Sequence, residues 1–163
     1  MNNKKRVLYG LMVGLIGLVN SGYTAPPTIL NVFPASNIIG VYERYQMQFD
    51  LTTSFSNSFD PNIVDIRAVF TSPTNVVSTA FAFWYQKFNI TGGVGTTEIY
   101  TAADTAHWLI RFAPLETGSY SYIIFINTIY GNSTSTTLHF SVTNSTNNGF
   151  VRLHQNNSKY FQM

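Results

Sequence analysis

VYERYQMQFDL, Val41 to Leu51, alternates with a period of two: Val41, Tyr45, Met47, Phe49 and Leu51 share one face, while Tyr42, Arg44, Gln46, Gln48 and Asp50 share the other. That period is the pattern of a half-buried strand. Glu43 is the sole intruder on the apolar face, close enough to the strand's start to reach water or a partner. Working outward, Ile63 to Phe70 sets Val64, Ile66, Ala68 and Phe70 against Asp65 and Arg67, a second two-sided strand. Ser72-Pro73-Thr74-Asn75 follows, in which proline presets φ and asparagine tolerates the left-handed region, so Val76 to Phe83 returns as the other arm of a hairpin.

Trp108 to Phe112 and Tyr120 to Asn127 are joined by Pro114-Leu115-Glu116-Thr117-Gly118, and Tyr130-Gly131-Asn132 leads into Thr136 to Val142. With Thr28 to Phe33 in front and Phe150 to Leu153 behind, seven to eight short strands are expected and no helical period. This pattern indicates an all-β fold, an immunoglobulin-like antiparallel sandwich or a barrel, with the sandwich preferred. The 25 aromatic residues against 16 charged ones agree, since rings fit a pleated, half-buried surface.

At 163 residues one domain is expected, and the absence of cysteine removes disulfides, zinc ribbons and thiol nucleophiles. The core must come from apolar packing alone. Three of the nine basic residues are Lys4, Lys5 and Arg6, and without them six basic side chains face seven acidic ones, a net of −1. Such a body has no electrostatic footprint for nucleic acid. The uncharged 13-residue run Val7 to Val19 follows that basic start, and small residues precede Pro26-Pro27. Residues 1–25 therefore read as a secretory signal peptide with its helix, cut between 21 and 25. The run falls short of the roughly 20 apolar residues of a membrane span, so no permanent span is expected and a signal anchor is the lesser alternative. A secreted, extracellular chain follows. Sequons at Asn89, Asn132, Asn144 and Asn156 would accept N-glycans in a eukaryotic host and make it a glycoprotein.

Candidate chemistry is sparse. Glycosidases place two carboxyl groups about 5 to 10 Å apart. Asp50, Asp60 and Asp65 lie on polar faces or strand ends, Glu116 lies in a turn, and only Glu98 with Asp104 flanks a suitable segment. His107, His139 and His154 lack metal-ligand spacing, there is no Gly-x-Ser-x-Gly elbow, and Thr91-Gly92-Gly93-Val94-Gly95-Thr96 lacks the ending of a phosphate-binding loop. No catalytic constellation, metal or cofactor is expected. The aromatic run Phe81, Phe83, Trp84, Tyr85 and Phe88 is the most suggestive feature. Strand spacing turns Phe81 and Phe83 to the core, whereas Trp84 and Tyr85 suit either core closure or packing on a neighbouring domain, with direct sugar contact third.

Three segments carry a resemblance: NSFDPNIVDIRAVFTSPTNVVSTAFAFWYQ (57–86), HWLIRFAPLETGSYSYIIF (107–125) and NNGFVRLHQNNSKYF (147–161). Together with GVYERYQMQFDL (40–51) they are similar to the immunoglobulin-like N-terminal domain, domain of unknown function 5060, of secreted glycoside hydrolases of apiosidase-like type. In that family the domain precedes a catalytic TIM barrel that holds the carboxylates, none of which maps onto this chain. The resemblance implies a sandwich over 26–146 and, over 147–163, the start of a linker toward a barrel. It implies a non-catalytic accessory module, here stand-alone or truncated, with the barrel as partner and a polysaccharide as a second. Trp84, Tyr85, Phe150 and Arg152 are the candidates for the domain interface or for carbohydrate contact. The stretch Asn89 to Ala106, with its glycine cluster, is longer or looser than the family's corresponding loop. An interaction module of the cell surface, binding a protein or glycan, is the alternative.

Overall fold

The computed structural model describes residues 25–93, 95 and 97–162. The expected signal peptide lies almost wholly outside the described residues. The described chain is all-β, without a helix, in thirteen strands: β1 (Ile29–Pro34), β2 (Ile38–Gly40), β3 (Tyr45–Leu51), β4 (Val64–Thr71), β5 (Val77–Tyr85), β6 (Phe88–Thr91), β7 (Ile99–Ala102), β8 (His107–Phe112), β9 (Gly118–Thr128), β10 (Gly131–Thr134), β11 (Leu138–Thr143), β12 (Arg152–His154) and β13 (Asn157–Gln162). This exceeds the seven to eight expected, because short strands with exposed residues carry little hydrophobic alternation.

The strand expected from Val41 begins only at Tyr45. Tyr42 sits at φ 66°, its N–H donates to the Pro114 carbonyl at 2.9 Å, and the Glu43 carboxylate accepts from Gly40 N at 2.8 Å, so these residues form a turn. From Tyr45 on the alternation holds, with Tyr45, Met47 and Phe49 buried. In β4, Val64, Ile66, Ala68 and Phe70 are buried as their spacing requires.

The strands run in the order β1-β3-β8-β5 and continue β5-β4-β9-β11-β2, with β10 also beside β9. β5 belongs to both halves. Its first part pairs with β4, ending at Phe81 opposite Arg67, and its second part pairs with β8, from Ala82 opposite Ile110 to Tyr85 opposite His107. The β11–β2 pairing is parallel, which departs from the purely antiparallel expectation.

One core lies between the two halves and draws on both. Tyr45 of β3 stacks on Phe140 of β11 with centroids 3.9 Å apart, and Phe112 of β8 stacks on Phe70 of β4 at 4.0 Å. Each pair takes one ring from each layer, so the architecture is sandwich-like. Burying such side chains stabilises by about 1.5–3 kcal/mol each.

Phe81 and Phe83 do not face this core. The turn at Ser72–Val76, with Asn75 at φ 65°, sets a register that puts Ala80 opposite the buried Ala68. Residues directly opposite share a face. Ala80, Ala82 and Trp84 therefore pack inward, and Phe81 is 64% exposed on the outside. The stretch Asn89 to Ala106 is not an open loop: β6 and β7 pair as a hairpin. β12 and β13 form another over the expected linker.

Candidate functional site

The four expected interface residues do not form one surface. Trp84 points inward, 5.3 Å from Trp108 in an edge-to-face arrangement. Tyr85 points outward beside His107, and the Arg111 guanidinium lies 5.2 Å from the Phe83 ring and 5.8 Å from the Tyr85 ring while Arg111 Nε donates to Gln46 Oε1 at 2.9 Å. Phe150 meets Tyr42 edge-on at 5.9 Å, and Tyr42 is bonded to Pro114, past the far end of β8. Trp84 and Tyr85 pair with the start of β8, so its length, roughly 17 Å at about 3.3 Å per residue, separates the two sets. Arg152 opens the exposed C-terminal hairpin. Asn89, Asn132, Asn144 and Asn156 are all exposed.

The end of the sandwich at Trp84 is hollow. There β5 leaves β4 after Phe81, while β4 extends back to Val64 with β9 as its only strand partner among the described residues, and Val64 N donates to the Asp60 carbonyl at 3.0 Å. The notch is roofed by residues 52–63, a hydroxyl-rich loop held by its own side chains: Asn57 Oδ1 accepts from Phe59 N at 3.0 Å, and Asp60 Oδ1 accepts from Asn62 N at 2.9 Å. Phe55 in this loop lies edge-on to Trp108 and stacks on Tyr130 at 6.0 Å. Two adjoining hollows of about 280 Å³ each result, sharing Ser58, Phe59, Trp84 and Trp108. The first takes its remaining lining from Thr53 to Asn57, and the second includes Asp65 and Phe83.

Several ionisable groups elsewhere have partners within the chain. Burial raises the pKa of Tyr45, and the hydroxyl of Tyr122, 3.1 Å away, raises it further; burial likewise raises Tyr122. Tyr120 is raised by burial although its hydroxyl accepts from Leu115 N and Glu116 N. Hydrogen bonds from Ser72 and Thr74 hold the Glu116 carboxyl below its ordinary value. Glu98 accepts from the Tyr100 hydroxyl, and Asp104 Oδ1 accepts from Lys87 N at 2.8 Å, so both acids of the flanking pair have local partners. Buried His107 places Nδ1 2.8 Å from the Thr105 carbonyl. Among the described residues no three metal-ligating side chains cluster.

Of the residues around the hollows, Trp84 was among the sequence candidates; Phe55, Phe59 and Trp108 were not, because they are brought to it from distant parts of the chain. Two phenylalanines spaced among serines in Ser54-Phe55-Ser56-Asn57-Ser58-Phe59 were the available clue. No protein-family model matches the chain, and no curated protein is significantly similar to it.

Proposed function

We propose that this chain is a non-catalytic accessory module of a secreted carbohydrate-active enzyme, built as an immunoglobulin-like sandwich. The observation that carries the accessory role is the β12–β13 hairpin. Phe150, Val151, Leu153, Tyr160 and Phe161 are all exposed there, and the two strands pair only with each other. A lone two-stranded hairpin is marginal in water, and clustered apolar side chains on a surface mark a contact site. The hairpin occupies the segment that resembles the passage into a catalytic barrel, so a barrel in the same polypeptide is its natural cover.

Two features support the immunoglobulin-like type. The order β1-β3-β8-β5 beside β4-β9-β11 corresponds to strands A-B-E-D and C-F-G of that fold. Tyr120, near the start of β9, bonds back to the backbone four and five residues upstream, as in a tyrosine corner. The exposed sequons and the basic, then apolar, N-terminus support export. The reading frame beyond codon 163 tests the proposal: barrel-coding sequence is expected, and unrelated sequence counts against it. Glycosidase activity from the purified chain alone would overturn its non-catalytic part. A secreted or cell-surface module binding a protein or glycan is the second reading, favoured by the outward platform of Phe83, Tyr85 and Arg111.

A further inference from the structure

We propose that the paired hollow around Phe59, Trp84 and Trp108 binds a neutral pyranose unit of an oligosaccharide. A sugar ring offers an apolar C–H face and a rim of hydroxyls that both donate and accept. The hollow offers the counterpart of each. Phe59 is 76% exposed, and it and the Trp84 indole wall both hollows. Amphipathic aromatic rings of this kind stack on such faces. The polar lining is unspent: the side-chain hydroxyls of Ser54, Ser56 and Ser58 bond to no described residue, nor does the Asp65 carboxylate.

Charge narrows the ligand class. The lining residues include one acidic residue, Asp65, and no basic one, so the hollow brings no positive charge to an anionic sugar, phosphate or sulfate. None of the four sequon asparagines lines either hollow, so glycans attached at those positions leave the entrance free of an anchor point. Ligand and module readings are linked only through the choice of a carbohydrate. The site follows from the departure of β5 from β4 and from the loop over the gap, whatever lies beyond residue 163.

The chain has two tryptophans, and both line the hollow, so intrinsic fluorescence reports directly on its occupation. The secreted protein would be titrated with neutral oligosaccharides (cello-, xylo- and manno-hexaose) and with an anionic oligogalacturonide. A saturable emission change with at least one neutral sugar is expected. Phe59→Ala, a change at an exposed side chain, should weaken it tenfold or more with an unaltered circular dichroism spectrum, and Asp65→Asn should weaken it less. Three results would each overturn the proposal: no saturable change with any neutral sugar at millimolar concentration, tighter binding of the oligogalacturonide, or affinity unchanged in Phe59→Ala. None of these bears on the reading frame beyond codon 163, so the site and the accessory role fail separately.

Discussion

At one end of the sandwich the rings of Tyr45, Phe70, Phe112, Tyr120, Tyr122 and Phe140 stack between the layers, with hydroxyls bonded to one another or to backbone. At the other end Phe55, Phe59, Trp84 and Trp108 stand around hollows, and the serine hydroxyls beside them bond to no described residue. Both ends are rich in aromatics, so composition does not separate them. What separates them is strand pairing. At the closed end β4 and β5 stay paired through Thr71 and Val77, whereas at the open end β5 has crossed to β8 and no described strand pairs in its place beside Val64 to Ile66. Aromatic side chains are closed over where the sheets stay paired, and where β5 departs Phe59 stands 76% exposed while Trp108 remains buried.

The largest test of this contrast is Phe70→Ala. Phe70 is fully buried and contacts three other rings, so its loss should cost about 3–5 kcal/mol in denaturant unfolding. Trp84→Ala should cost less, and an equal cost would erase the distinction between the ends. Next, Tyr45→Phe or Tyr122→Phe strands one buried hydroxyl and should each cost about 1–3 kcal/mol. The double variant should cost less than the sum, since no orphan remains.

The closed end also sets a pH dependence. The folded-state pKa values of Tyr45, Tyr120 and Tyr122 are raised, so their contribution is complete below the unfolded value of about 10 and is lost as pH rises beyond it. Unfolding midpoints should fall between pH 9 and 11, and less so in the Tyr45→Phe, Tyr122→Phe double variant. Glu116 runs the other way: its depressed pKa favours the fold above the unfolded carboxyl value and ceases to do so as acid titrates it, a minor effect for an exposed group. Smallest of all, Phe59→Ala at the open end should change stability by no more than about 0.5 kcal/mol.

Much of the closed end could be read from the chain. Ala68 to Phe70 and Tyr45 to Met47 at that end belong to strands whose buried side chains alternate with half-buried or exposed ones, a pattern that periodicity reveals. The open end could not. In Val77 to Tyr85 both faces carry apolar side chains, and the strand changes sheets between Phe81 and Ala82, an event that leaves no mark on periodicity. The register from the Ser72–Val76 turn puts Ala80 and Ala82 against the core, although neither is among the larger apolar side chains of the strand. The roof of the hollow reads locally as a polar loop, and its meaning depends on tryptophans more than 20 residues away.

The parallel pairing of β2 with β11 joins Ile38, Ile39 and Gly40 to Ser141, Val142 and Thr143. Once β1 is peeled from its edge, a pull on the two ends of the chain reaches β2 from its N-terminal side and β11 from its C-terminal side. In parallel strands those pulls oppose along the strand axis, so the bonds resist together in shear instead of opening singly. Three residue pairs thereby act as a mechanical clasp, and a neighbour tethered after β13 could be dragged without tension reaching the hollow.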